Sequence, residues 1–129
     1  MPAIPVVFYQ EKDGDSQAVN WLKELKETDE KAFIKCWAAI KRLADHGHEL
    51  RRPEADYLRD GIHELRIKRG SVNYRLLYFF HERTCSVVAH GCTKEDIVPP
   101  SDINRAITRK SNFIANPKAY TFTGEIENE

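Results

Sequence analysis

Residues 62–80 read IHELRIKRGSVNYRLLYFF. Two runs in this stretch alternate apolar and polar residues, and Arg69-Gly70-Ser71 lies between them. Ile62, Leu65 and Ile67 are apolar in the first run, against charged Glu64, Arg66 and Lys68. In the second, Val72, Tyr74, Leu76, Tyr78 and Phe80 share one face, and Asn73 and Arg75 begin the other. Alternation with a period of two across a glycine turn predicts an antiparallel hairpin. Its polar positions are mostly cationic: Arg66, Lys68 and Arg75, with Arg69 at the turn. A sheet holds several cations in fixed geometry, an arrangement suited to a phosphate-bearing partner.

The flanking sequence supplies the rest of a small domain. Val6–Gln10 reads as a strand, Lys12-Asp13-Gly14-Asp15 as a turn, and Asp15 or Ser16 as a helix cap. Ala18, Trp21, Leu22 and Leu25 fit one helical face. A second helix restarts at Thr28-Asp29, with Phe33, Cys36, Trp37, Ile40, Leu43 and Ala44 spaced by threes and fours, and Gly47 stops it. His48–Gly61 reads as irregular, broken by Arg51-Arg52-Pro53. Cys85–His90 reads as a third sheet strand after the helix pair. Pro99-Pro100-Ser101 then starts a last helix, with Ser101 as cap and Ile103, Ala106, Ile107 and Ile114, with Phe113 beside it, as apolar stripe. Arg105, Arg109 and Lys110 would point away from that stripe, and the polar tail from Lys118 would be loosely ordered. This order predicts one α+β domain over residues 1–129, with a core over about 6–116 and a mostly antiparallel sheet.

Composition excludes several classes. At 41% hydrophobic and 31% charged residues the chain is ordinary for a globular protein, and no apolar run approaches a bilayer span. MPAIPVVFYQ turns polar too soon for a signal peptide, so the expected location is the cytoplasm. Three cysteines (Cys36, Cys85 and Cys92) are an odd number and read as buried thiols in a reducing compartment. No metal or cofactor is expected. His46-Gly47-His48 lacks a partner at ligand spacing, His90 and Cys92 are weak ligands, and no phosphate loop or nucleophile elbow occurs.

Net charge is zero, yet the charges are segregated. Residues 11–30 carry seven acids against three lysines, whereas Arg105, Arg109, Lys110 and Lys118 face no acid between 105 and 118. Such segregation fits a local phosphate-binding face on a neutral protein, as well as solvated faces with weak surface ion pairs. Metal-free RNA cleavage suits a cationic sheet face. The RNA 2′-OH attacks the adjacent phosphate, and fixed guanidinium groups stabilise the charge that develops there.

The hairpin, the following strand SVVAHGCTKED and the proline-then-helix segment resemble the RelE/ParE superfamily of bacterial toxins, in particular its phage-derived, HigB-like branch. The matching features are Glu64-Leu65-Arg66, Tyr74-Arg75, His90-Gly91 and Lys94, with Gly14 and Trp21-Leu22 upstream. The resemblance covers about residues 6–116 and implies a helix hairpin packed on a twisted sheet. It also implies ribosome-dependent mRNA cleavage without a metal, and a neighbouring antitoxin, commonly of helix-turn-helix type. On this resemblance Arg75, Arg66 and Lys94 are the candidate catalytic cations and His90 the first candidate for proton transfer. Lys68, Arg69, Arg105 and Arg109 would hold the RNA backbone. Arg75 is expected on a solvated face, where its removal would affect stability little.

Three positions depart from the family pattern. Glu95 follows Lys94 where many relatives carry a second cation, no tyrosine lies near Pro99–Asp102, and Glu64 stands where some active relatives have lysine. These departures leave a second reading open: a non-catalytic protein of the same fold, either a gyrase-directed toxin or an inactive phage-derived relative acting by protein binding. Codon preference and oligomeric state are not fixed by the sequence.

Overall fold

The computed structural model describes residues 3–94 and 97–124. The side chain of Lys94, residue Glu95 and the acidic tail from Glu125 lie outside the described residues. The order of elements is β1 (Val6–Phe8), α1 (Gln17–Thr28), α2 (Glu30–His46), a single 3-10 turn (Gly47–Glu49), β2 (Ala55–Arg59), β3 (Ile62–Arg69), β4 (Val72–His81), β5 (Cys85–Lys94), α3 (Pro100–Ala115) and α4 (Pro117–Tyr120). The strands form one mixed sheet in the order β1-β5-β4-β3-β2. Only β1 runs parallel to its neighbour, β5.

The hairpin forms as the alternation predicts. Arg69 pairs with Val72, and Gly70 takes the positive φ of +63° that the tight turn requires. The helix pair also follows local chemistry. The Ser16 hydroxyl accepts from the Val19 N–H, and the Asp29 carboxylate accepts from the Ala32 N–H, both at 3.3 Å. Leu22, Phe33, Cys36 and Leu43 then pack on Leu65, Tyr74, Leu76, Tyr78 and Val88, so this face of the sheet is apolar beneath the helix pair. Each such aliphatic side chain contributes roughly 1.5–3 kcal/mol on burial.

The opposite face is divided. Ile62, Leu77, Phe79, Val87 and Ala89 pack under Ile103, Ala106 and Phe113 of α3. The turn end of the hairpin extends beyond that cover and carries Arg66, Lys68, Asn73 and Arg75.

Several expectations are corrected. The segment expected to be irregular contains β2, whose Asp56 pairs with Glu64 and Ala55 with Leu65. The third strand runs on past His90 to Lys94. Pro99 is the N-cap of α3 and Pro100 its first residue, so Ser101 lies inside the helix and does not cap it. The buried stripe of α3 follows a 4-3-4 spacing through Asp102, Ala106, Arg109 and Phe113, with Ile103 alongside. Ile114, about 100° further round the helix than Phe113, is exposed. Arg109 therefore points inward, contrary to expectation. Residues 119–122 are ordered as well: Tyr120 stacks on Tyr9 at 5.4 Å and Thr121 bridges to Tyr9. Gln10 N–H donates to the Tyr120 carbonyl and Phe122 N–H to that of Phe8, so this segment lies along the outer edge of β1. No helix among the described residues is long and apolar enough to cross a membrane.

Candidate phosphate-binding site

Cross-strand register brings the hairpin cations together. Arg66 pairs with Arg75, Lys68 with Asn73, and Glu64 with Leu77. On the other side of β4, Arg75 pairs with Cys92 and Asn73 with Lys94. Arg66, Lys68, Asn73 and Arg75 line a shallow 290 Å³ cavity, closed on one side by Pro53 and Glu54.

The centre of this group differs from the solvated face expected from sequence. Arg75 is only 8% exposed and Glu64 only 3%. Arg75 Nη1 donates to Glu64 Oε1 at 2.9 Å, a charge-assisted contact in low dielectric. Arg66 Nη1 lies 3.7 Å from Glu64 Oε2 and 3.9 Å from Asp56 Oδ2. Glu64 therefore lies between the two guanidiniums and holds them in place, at the expense of part of their positive charge. Removing Arg75 would strand a buried carboxylate, so its contribution to stability is large, which corrects the small one expected for a solvated face. The remaining nitrogens of Arg75, and the Lys68 ammonium, have no hydrogen-bond or ion-pair partner among the described residues. A phosphate approaching the cavity would find donors already oriented.

His90 belongs to a second cluster beneath α3. The register shifts between Leu77 and Tyr78, and this bulge turns both Ala89 and His90 toward α3. On the opposite side Gln17 bonds both the N–H (2.8 Å) and the carbonyl (2.7 Å) of Gly91. His90 is 4% exposed, with Nε2 3.1 Å from Asp102 Oδ1 and Nδ1 3.0 Å from Arg109 Nη1. A guanidinium can only donate, so Nδ1 accepts and Nε2 carries the proton toward Asp102. Burial, then the charge of Arg109, lowers the His90 pKa, against the pull of Asp102. His90 is accordingly neutral at pH 7, with both ring nitrogens engaged. Arg109 also donates to the Ala89 carbonyl (2.8 Å) and to Glu11 (3.3 Å), while Arg105 reaches Asp102 at 3.2 Å from an exposed position.

Three ligand-type atoms, one each from His90, Cys92 and Asp102, lie within 4.8 Å of one another. Arg105 and Arg109 flank this trio, so a divalent cation there would meet two guanidiniums and displace the His90 proton. Cys36 is inert for a different reason: burial pushes its thiol up to about 12.

The structure thus brings Arg66, Lys68 and Arg75 into one cavity, and Lys94 follows two residues after Cys92 on the adjoining strand. Arg105, Arg109 and His90 form a neighbouring cluster around Asp102. Arg69 is set apart, with Nη1 3.6 Å from Asp29 at the start of α2. The sequence presents Glu64 as part of the Glu64-Leu65-Arg66 match, as a departure from active relatives and as a partner in surface ion pairs, not as a buried anchor for Arg75, and it assigns no role to Asp102 or Glu11. The 4-3-4 spacing of Asp102 and Arg109 with Ala106 and Phe113 was the available signal for the second cluster.

A family model described as phage-derived protein Gp49-like (DUF891) matches residues 20–111. The chain belongs to this family. The matched span of the Gp49-like protein runs from α1 through most of α3 and includes both charged clusters. No curated protein matches the chain.

Proposed function

We propose that this Gp49-like protein is the toxin of a type II toxin–antitoxin pair, acting in the cytoplasm as a metal-independent endoribonuclease on ribosome-bound mRNA. The supporting observation is the 290 Å³ cavity on the hairpin, where Arg66, Lys68 and Arg75 converge and Glu64 fixes Arg75. In this reading the RNA 2′-OH attacks the adjacent phosphorus and the 5′-oxygen leaves, giving a cyclic phosphate and a 5′-hydroxyl end. Arg75 stabilises the charge on the phosphorane oxygens, assisted by Arg66 and Lys94. Lys68 and the exposed Arg105 hold the RNA backbone on either side, and Arg69 and Arg109 extend the same positive field. His90 would take part in proton transfer only by releasing its contact with Asp102. A helix-turn-helix antitoxin is the neutralising partner.

Glu64 also favours a second reading. A buried carboxylate 2.9 Å from Arg75 repels phosphate, as expected of a non-catalytic member that works by protein binding, on gyrase or another partner. Inducing the protein without antitoxin and mapping 5′-hydroxyl mRNA ends on ribosomes separates the two. The ribonuclease reading expects new ends that vanish in Arg75→Lys. Growth arrest with unchanged mRNA would overturn it in favour of the second reading, and normal growth with folded protein would overturn both.

A further inference from the structure

A more spacious cavity lies on the other face of the sheet. It measures 460 Å³ and opens between the residues following α2, strand β2, and the ends of β3 and β4 that face the helix pair. Its walls are aromatic. His48 stacks on Phe80 at 3.8 Å, His63 stacks on Tyr78 at 5.3 Å, and Tyr57 meets His63 edge-on at 5.1 Å. Tyr57 stands at the mouth, 55% exposed.

The polar groups inside point to a ligand. Tyr78 is 1% exposed, lines the cavity, and its hydroxyl has no hydrogen-bond partner among the described residues. The ring nitrogens of His48 and His63 likewise have none. The Tyr78 hydroxyl and the two imidazoles line the cavity and can hydrogen-bond to water or to a ligand atom there. Two arginines flank these rings. Arg52 is bound by Asp56 at 2.8 Å, whereas Arg51 donates only to the carbonyls of His48 and Leu50 and keeps its charge unneutralised. Burial, followed by the charges of His48 and Arg51, lowers the His63 pKa, as an electropositive pocket would.

We propose that this cavity binds a nucleotide: the base stacked on the exposed Tyr57 ring beside His63, its polar edge toward Tyr78, and its phosphate on Arg51. The volume falls within the roughly 300–1,000 Å³ typical of small-ligand sites, and flat aromatic walls beside a lone guanidinium match a base joined to a phosphate. The site stands apart from the hairpin cavity and does not depend on the ribonuclease reading. Its ligand is either a free mononucleotide or one nucleotide of a single-stranded RNA.

Saturation-transfer NMR with AMP and adenosine, and anisotropy with a fluorescein-labelled RNA hexamer, test the proposal on the full-length protein. Saturation of the AMP base protons, with adenosine bound about tenfold more weakly, establishes a mononucleotide site. Hexamer binding without AMP binding, weakened about tenfold by Arg51→Glu and by Tyr57→Ala, establishes an RNA-chain site. Both residues are exposed, so these variants are expected to fold, and circular dichroism checks that they do. Lys68→Ala, on the hairpin cavity, should leave AMP binding unchanged. Absence of binding by both probes, or binding unaltered in the folded Arg51→Glu and Tyr57→Ala proteins, would overturn the proposal. Failure here leaves 5′-end mapping unaffected, and failure of mRNA cleavage leaves AMP binding unaffected.

Discussion

The face of the sheet that carries α3 holds two charged clusters with opposite characters. Around Glu64, the partners of Arg75 occupy one edge of its guanidinium and leave the rest turned toward a cavity. Around His90, both ring nitrogens are engaged and Arg109 donates to a carbonyl, an imidazole and a carboxylate. The first arrangement can accept another anion at its buried guanidinium, whereas in the second the imidazole is fully engaged and the exposed Arg105 keeps free donors. Burial alone separates neither cluster from the other, since Glu64, Arg75, His90 and Asp102 are all buried. What distinguishes them is how far the central group, Arg75 in one and His90 in the other, is used up by internal contacts.

Arg75→Ala gives the sharpest contrast. It leaves the buried Glu64 carboxylate without its closest partner and should lower stability by about 3–5 kcal/mol in urea denaturation. A loss below about 1 kcal/mol would show that Glu64 is solvated and that the first cluster is a surface ion pair. Replacing both residues by leucine should recover most of the stability while abolishing phosphate binding, because no charge is then stranded. Next comes Gly91→Ala, beside His90. A Cβ there would lie 2.7 Å from the Trp21 ring, and overpacking of this kind costs about 1–3 kcal/mol. An unaffected melting temperature would mean that Trp21 yields freely and that the bulge presenting His90 is not clamped.

Acidification probes the second cluster. The folded-state pKa of His90 is lowered from 6.5, so near that pH the unfolded chain takes up a proton that the folded protein refuses. Stability is complete above about pH 6.5 and declines as the pH falls toward the folded-state value. His63 contributes in the same direction, also through burial. His90→Gln should therefore reduce the fall in urea midpoint between pH 7.5 and 5.5, and an equal fall in both proteins would assign it to other groups. The smallest effect on stability is expected from Lys68→Ala, within about 0.5 kcal/mol, since its ammonium has no ion-pair partner among the described residues. If Lys68 contacts phosphate, the same change should flatten the salt dependence of single-stranded RNA binding by about 0.7 in the log–log slope.

The hairpin, the Ser16 and Asp29 caps and the antiparallel character of the sheet were legible because each rests on a local pattern. Strand β2 was not. Its sequence ADYLR is short, half polar and preceded by proline, so its identity as a strand comes from pairing with β3. The convergence of Arg66, Lys68 and Arg75 follows from period-two spacing, but their environment does not. Alternation tells which side chains share a face, and only the position of β2 and β5 reveals that Glu64 and Arg75 are enclosed. The inward turn of Arg109 was obscured because Asp102 and Arg109 occupy two places of a stripe normally recognised by apolar residues.

The return of the chain past Tyr120 has a consequence for self-association. With the Phe122 N–H bonded to the Phe8 carbonyl and the Gln10 N–H to that of Tyr120, the C-terminal end of the β1 edge is covered, which leaves β2 as the more open sheet margin. A molecule with one adhesive border can join a single mate about a twofold axis and then stops, whereas unlimited fibre growth requires two.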